Sequence, residues 1–179
     1  MALTATIYKA ELAIADMDRG YYGTHHLTLA RHPSETSERL MVRLLVFALH
    51  AEERLEFTKG LCVDDEPAVW AKSLSGDIET WLDVGQPDER RIRKSCNRAE
   101  RVVIYAYGGH AAELWWERTH NRVTRFNNLQ VFNLAPSVTD GLAALAERSM
   151  RLQCTIQDGQ IWLGNSQITV PIEPFRWYG

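Results

Sequence analysis

The stretch Asp77-Ile-Glu-Thr-Trp-Leu-Asp-Val-Gly-Gln-Pro-Asp-Glu-Arg-Arg-Ile-Arg-Lys94 decides the fold. Its first half reads as a strand. Ile78, Thr80, Leu82 and Val84 share one face, and Glu79, Trp81, Asp83 and Gly85 share the other. Bulk on both faces predicts a strand covered on both sides, in a parallel or mixed sheet. Asp83 falls near the strand's C-terminal end, outside which ligands of open α/β sheets bind. Gly85-Gln-Pro87 ends the strand, and Asp88 is a helix cap. The helix that follows should reach about Glu100, with Ile92, Cys96 and Ala99 inward and Arg90, Arg91, Lys94 and Arg98 on the remaining circumference. Arg101-Val-Val-Ile-Tyr-Ala-Tyr-Gly108 is then a buried strand, which makes residues 78 to 108 a βαβ unit.

Working outward on the N-terminal side, residues 3 to 15 and Tyr21 to Ala30 read as two strands of a hairpin. A helix opens near Pro33-Ser34 and runs to about His50, with a buried stripe at Met41, Leu44, Leu45 and Ala48. Glu38 lies on the flank of that stripe. An inward carboxylate there needs a partner, either an arginine such as Arg31 or a ligand at the rim of a site. Leu55 to Gly60 reads as a strand, and Asp64-Asp-Glu-Pro67 as the cap of a short helix, Ala68-Val-Trp-Ala71.

On the C-terminal side, His110 to His120 reads as a helix, Val123 to Leu134 as a strand, and Pro136 to Met150 as a final helix with Leu142, Leu145 and Ala146 inward. Asp158-Gly159 is a two-residue turn between strands Leu152–Gln157 and Gln160–Leu163, and Ile168 to Ile172 adds one more. The adjacent Trp115 and Trp116 diverge by about 100° on a helix, so they pack separately and cannot form one stacking platform. The whole is a mixed α/β chain of class α+β, with N- and C-terminal antiparallel hairpins forming an added sheet.

Composition bounds the function. A chain of 179 residues is one domain, spanning 1–179. The net charge of −3 lacks the basic surplus usual in non-specific nucleic-acid binders, although a local patch can survive it. Cys62, Cys96 and Cys154 are far apart, form no C-x-x-C pair and show no metal-ligand spacing, and their odd count argues against a disulfide framework. No apolar run is long enough to span a membrane, and no signal segment is visible. A cytoplasmic, monomeric protein with no membrane association is the expectation.

Several ordered blocks resemble the YaeQ-like family of bacterial proteins over essentially the full length. They are Leu3-Thr-Ala-Thr-Ile-Tyr-Lys9, Leu27-Thr-Leu-Ala-Arg-His-Pro-Ser-Glu-Thr36 with Glu38-Arg39, Gly60-Leu-Cys-Val-Asp-Asp-Glu-Pro67, Gly85 to Ile92 through Lys94, and Thr155-Ile-Gln-Asp-Gly159 with Ile161-Trp-Leu163. The resemblance implies a variant of the PD-(D/E)xK nuclease core. Carried onto this sequence, the metal ligands would be Glu38, then Asp64 or Asp65, then Asp83, holding magnesium, with Glu38, Asp83 and Lys94 catalytic. The lysine slot after Asp83 is Gly85, and Lys94 on the next helix is the substitute. Arg31 and Arg91 would meet nucleic acid. Two functions follow: a metal-dependent nuclease, or an inactive nuclease-fold relic serving as a nucleic-acid- or protein-binding module.

Overall fold

A computed structural model describes residues 4–59 and 65–179. Eleven strands and four helices follow in the order β1 Thr6–Asp16, β2 Tyr21–Arg31, α1 Ser37–Leu49, β3 Leu55–Phe57, β4 Val69–Lys72, β5 Ile78–Val84, α2 Glu89–Arg98, β6 Ala99–Tyr107, α3 His110–Val123, β7 Leu129–Leu134, α4 Pro136–Ala144, β8 Ser149–Gln157, β9 Gln160–Gly164, β10 Thr169–Ile172 and β11 Phe175–Tyr178. They build a 5-stranded sheet, β10-β9-β8-β1-β2, and a 6-stranded sheet, β11-β7-β6-β5-β4-β3. Both are mixed. In the larger, β5, β6 and β7 run parallel; in the smaller, β1 runs parallel to β8. The two terminal hairpins are thus not merely stacked. They are zipped together along β1 and β8, from Lys9 opposite Ser149 to Asp16 opposite Ile156.

α1 is the centre of the layering. Every residue from Leu40 to Ala48 is buried. The predicted stripe of Met41, Leu44, Leu45 and Ala48 is buried as expected, but Leu40, Val42, Val46 and Phe47 are buried too. A helix with apolar groups on all sides has no water-facing side. The shared core joins inward residues of the smaller sheet (Leu12, Leu152, Val170), of α1 and α4, and of the larger sheet (Leu82, Val103, Tyr105). Each large side chain so buried contributes roughly 1.5–3 kcal/mol. The opposite face of the larger sheet forms a second core with α2 and α3, around Trp81, Ile92, Val102, Ile104 and Val123.

The caps follow local chemistry. The Thr36 hydroxyl accepts from the Arg39 amide at 3.0 Å, and the Asp88 carboxylate accepts from the Arg91 amide at 2.8 Å. Several expectations fail, among them the helix to Glu100, since α2 ends at Arg98 and Ala99 opens β6. Residues 68–71 are not a helix: Val69 to Ala71 are most of β4, with Val69 and Ala71 in the shared core and Trp70 in the other, a period of two and not of 3.6. Val123 ends α3, and β7 begins only at Leu129. Met150 belongs to β8, not to the last helix. Phe175–Tyr178 is an unforeseen edge strand on β7. Ile78 also leaves the face predicted for it and joins Trp81, beside a register shift at Ala71/Lys72. Cys62 and Asp64 lie outside the described residues.

His50, at the C-terminal end of α1, meets the Tyr105 hydroxyl at 2.8 Å through Nε2. Burial, and then the cations Arg101 and Arg19, push its imidazole down from 6.5 to about 3. Between those values the unfolded chain binds a proton that the folded chain refuses, so acidification costs stability. The expected outcome for His50→Gln, which retains a hydrogen-bonding group but does not titrate, is a shallower fall. Urea-unfolding free energies measured from about pH 6 to about pH 4 should lose less per unit by up to about 1.4 kcal/mol.

Candidate functional site

The site is built where α1, β5, α2 and the end of β6 meet. β5 points Asp83 to the α2 side of the larger sheet, and the residue is 3% exposed. A carboxylate this deep must be neutralised. Arg91, on the first turn of α2, does so with a two-pronged contact: Nε donates to Oδ2 at 2.6 Å and Nη2 to Oδ1 at 3.1 Å. Nη2 also donates to the Glu66 carbonyl at 2.7 Å, so one guanidinium ties β5, α2 and the approach to β4. The Trp81 indole lies 3.4 Å from Oδ2.

A second pair lies inside the α1 layer. Arg43, 1% exposed, donates from Nε to Glu35 Oε1 at 2.7 Å and from Nη2 to Oε2 at 2.9 Å. The Arg39 Nη1 atom stands 3.6 Å from Glu35 Oε1, and it is buried without a hydrogen bond among the described residues. Burial lowers the Arg39 pKa, opposed first by Glu35 and also by Tyr107 and Asp83. Burial pushes the Tyr107 phenol up to about 12; Arg39 opposes this, and Glu38 and Glu35 add to it. Arg39 and Tyr107 thus link the surroundings of Glu38 with those of Asp83.

The remaining expected site residues fall as follows. Glu38 is partly exposed and has no ion pair among the described residues. Lys94 pairs with the Asp65 carboxylate, both being exposed, and Arg98 donates to the Asp65 carbonyl at 2.7 Å. Arg31 is engaged in holding the turn before α1, with Nε on the Glu35 carbonyl at 2.8 Å and Nη1 on the Tyr8 hydroxyl at 2.9 Å. The arginine partner considered for Glu38 therefore serves another role. Glu35, not Glu38, is the carboxylate this segment buries. Its signal was present in the sequence as Glu35 followed by Arg39 and Arg43, four and eight residues on; in the structure Glu35 precedes the Thr36 cap and meets both from just outside α1.

Magnesium needs oxygen ligands with lone pairs free to face it. Both Asp83 oxygens face the Arg91 guanidinium, and Asp65 faces Lys94. Among the described residues no three His, Cys, Asp or Glu side chains converge on a point that could hold a metal ion. In this arrangement the residues do not fit a magnesium ion on Glu38, Asp65 and Asp83; the positive charge at Asp83 is supplied by Arg91. Over the outer surface of α2, Arg90, Arg93, Lys94 and Arg98 are all exposed.

Known proteins match this architecture closely. The family described as "YaeQ protein" matches residues 1–174. A protein of Escherichia coli (strain K12) named "Uncharacterized protein YaeQ" is 46% identical over 177 residues, covering 99% of this chain and 98% of that one. The crystal structure of the YaeQ protein from Xanthomonas axonopodis pv. citri is 50% identical, with a TM-score of 0.94 over 98% of this chain and 99% of that one. The YaeQ protein from Pseudomonas syringae is 34% identical, with a TM-score of 0.93 over 98% and 97% of the two chains.

Replacing Arg91 would strand a buried carboxylate. Because Arg91 is itself partly exposed, Arg91→Met is expected to cost about 2–3 kcal/mol in denaturant unfolding, less than for a fully buried pair. The double variant Asp83→Leu/Arg91→Met should recover most of that loss, since it removes the orphaned charge with its partner.

Proposed function

Since the chain belongs to the YaeQ family, we propose that it is a nuclease-like domain that holds a nucleic-acid backbone without cleaving it. The observation that carries this reading is the two-pronged Arg91–Asp83 contact, which occupies both oxygens of the acid best placed to bind a metal. With that acid neutralised internally, the outer surface of α2 carries a surplus of cations. Arg90 and Arg93 make no ion pair among the described residues. Lys94 is balanced by Asp65, and Arg98 lies over the Trp81 ring at 5.3 Å. Arg31 is left out of this surface because its Nε and Nη1 hold the Glu35 carbonyl and the Tyr8 hydroxyl, away from α2.

Such a surface reads phosphate charge and not base sequence. Each phosphate contact releases counterions, so affinity should fall steeply with salt. The expected outcome is binding of a short oligonucleotide whose salt slope drops by about 2 in Arg90→Gln/Arg93→Gln, roughly one for each lost contact. The same oligonucleotide, incubated with magnesium or manganese, should stay intact. Metal-dependent cleavage that disappears in Asp83→Asn would overturn the reading in favour of a hydrolase, and an unchanged salt slope would remove α2 from the interface.

A further inference from the structure

Backbone groups left over at sheet edges invite another strand. Among the described residues, three of the four edges are blunted by length: β3 has 3 residues, β11 has 4, and β10 has 4 with Pro171 among them. The fourth, β2, has 11 residues, with no proline, lysine, aspartate or glutamate. Arg31, at its last position, is its only arginine.

Which β2 groups are free follows from β1. The Lys9 amide donates to Arg148 and the Met17 amide to Ile156, so the odd-numbered residues of β1 turn their peptide groups toward β8. The even-numbered residues turn theirs toward β2. The register pairs Tyr8 with Leu29, Ala10 with Leu27, Leu12 with His25 and Ile14 with Gly23. It follows that Tyr22, Thr24, His26, Thr28 and Ala30 turn their N–H and C=O groups away from the sheet. The side chains of these same residues are exposed on the outer face.

We propose that β2 pairs antiparallel with the β2 of a second copy about a two-fold axis at His26, in place of the monomer expected from the sequence. His26 is the middle of the outward set and of the strand. In this register Tyr22 meets the partner's Ala30, Thr24 meets the partner's Thr28, and His26 meets the partner's His26. Every outward N–H finds a C=O across the axis, which is the self-complementarity a two-fold contact demands. Charge favours the second copy as occupant. No carboxylate or ammonium group on the outer row has to be desolvated or opposed, and each His26 has Glu11 beside it on β1. Tyr22, 65% exposed, lies along this edge. The pairing also brings two concavities together. A cavity of about 950 Å³ on the outer face is lined by Lys9, Glu11, His26, Arg151, Gln153 and Asn165, and its rim is the pairing strand. Two copies make one continuous trough across the axis.

Light scattering after size exclusion, on the full chain over a concentration series, tests this. The mass should rise from the 20.5 kDa of one chain toward twice that value. His26→Pro deletes the central outward N–H without removing a bond to β1, and should stay at the single-chain mass with an unchanged circular dichroism spectrum. His26→Lys puts two ammonium groups on the axis and should weaken the dimer several-fold, and it serves if the proline variant does not fold. A wild-type chain that stays single at every concentration overturns the proposal, as does a dimer that neither substitution weakens.

Discussion

A carboxylate taken out of water must be neutralised where it stands, and the middle of this chain is arranged around one such demand. Asp83 is put underground by the strand period of β5, between Leu82 on one core and Trp81 on the other. Its answer comes from the next element in the chain: Gly85 turns with φ 92°, Asp88 starts α2, and Arg91 arrives in the first helical turn with both nitrogens in reach. Sheet, turn, cap and helix start are thereby tied by one guanidinium. The Glu35–Arg43 pair does the same for α1, which has no side facing water on which a charge could rest.

Much of this was legible in residues 77 to 108. The alternation of Trp81 to Val84, the Asp88 cap, and the apolar run Val102 to Ala106 all state local rules that tertiary structure obeys. Legibility failed where a segment is short or buried on two sides. Ala68-Val-Trp-Ala is too brief for its period to be read, and strand pairing with β3 and β5 decides it. Phe175–Tyr178 is a strand only because β7 offers an edge. The site was legible in its acids and less so in its pairings. Asp83 and Arg91 were both singled out, but for separate tasks, and nothing in sequence spacing says that a residue eight positions on will fold back. Glu38 was singled out because it falls on the helical wheel, whereas the carboxylate that is buried, Glu35, precedes the Thr36 cap and lies off that wheel.

The same arrangement accounts for how an acidic chain presents a basic surface. The formal charge is −3, yet α2 exposes Arg90, Arg93, Lys94 and Arg98. Its inward residues, Ile92, Ser95 and Cys96, are buried against the second core, so the cations share the remaining circumference. Arg98 lies over the Trp81 ring at 5.3 Å, and Arg122 of α3 reaches Glu89 at 3.1 Å, which sets the helix on its neighbours.

The parallel pairing of β1 with β8 has a consequence for the order of events during synthesis. β1 and β2 leave the ribosome first and can close as a hairpin, but the far edge of β1 waits for residues 149 to 157. Asp18 is likewise completed only by the amides of Asp158 and Gly159, from the other end of the chain. Through all that time α1 has no finished smaller sheet on one of its sides. Contacts of such long sequence separation slow folding and lengthen the exposure of apolar surface. The chain therefore lays down β3 to β7 of its larger sheet before β8 can close the smaller one, and an early stop in translation leaves the most apolar helix uncovered on that side.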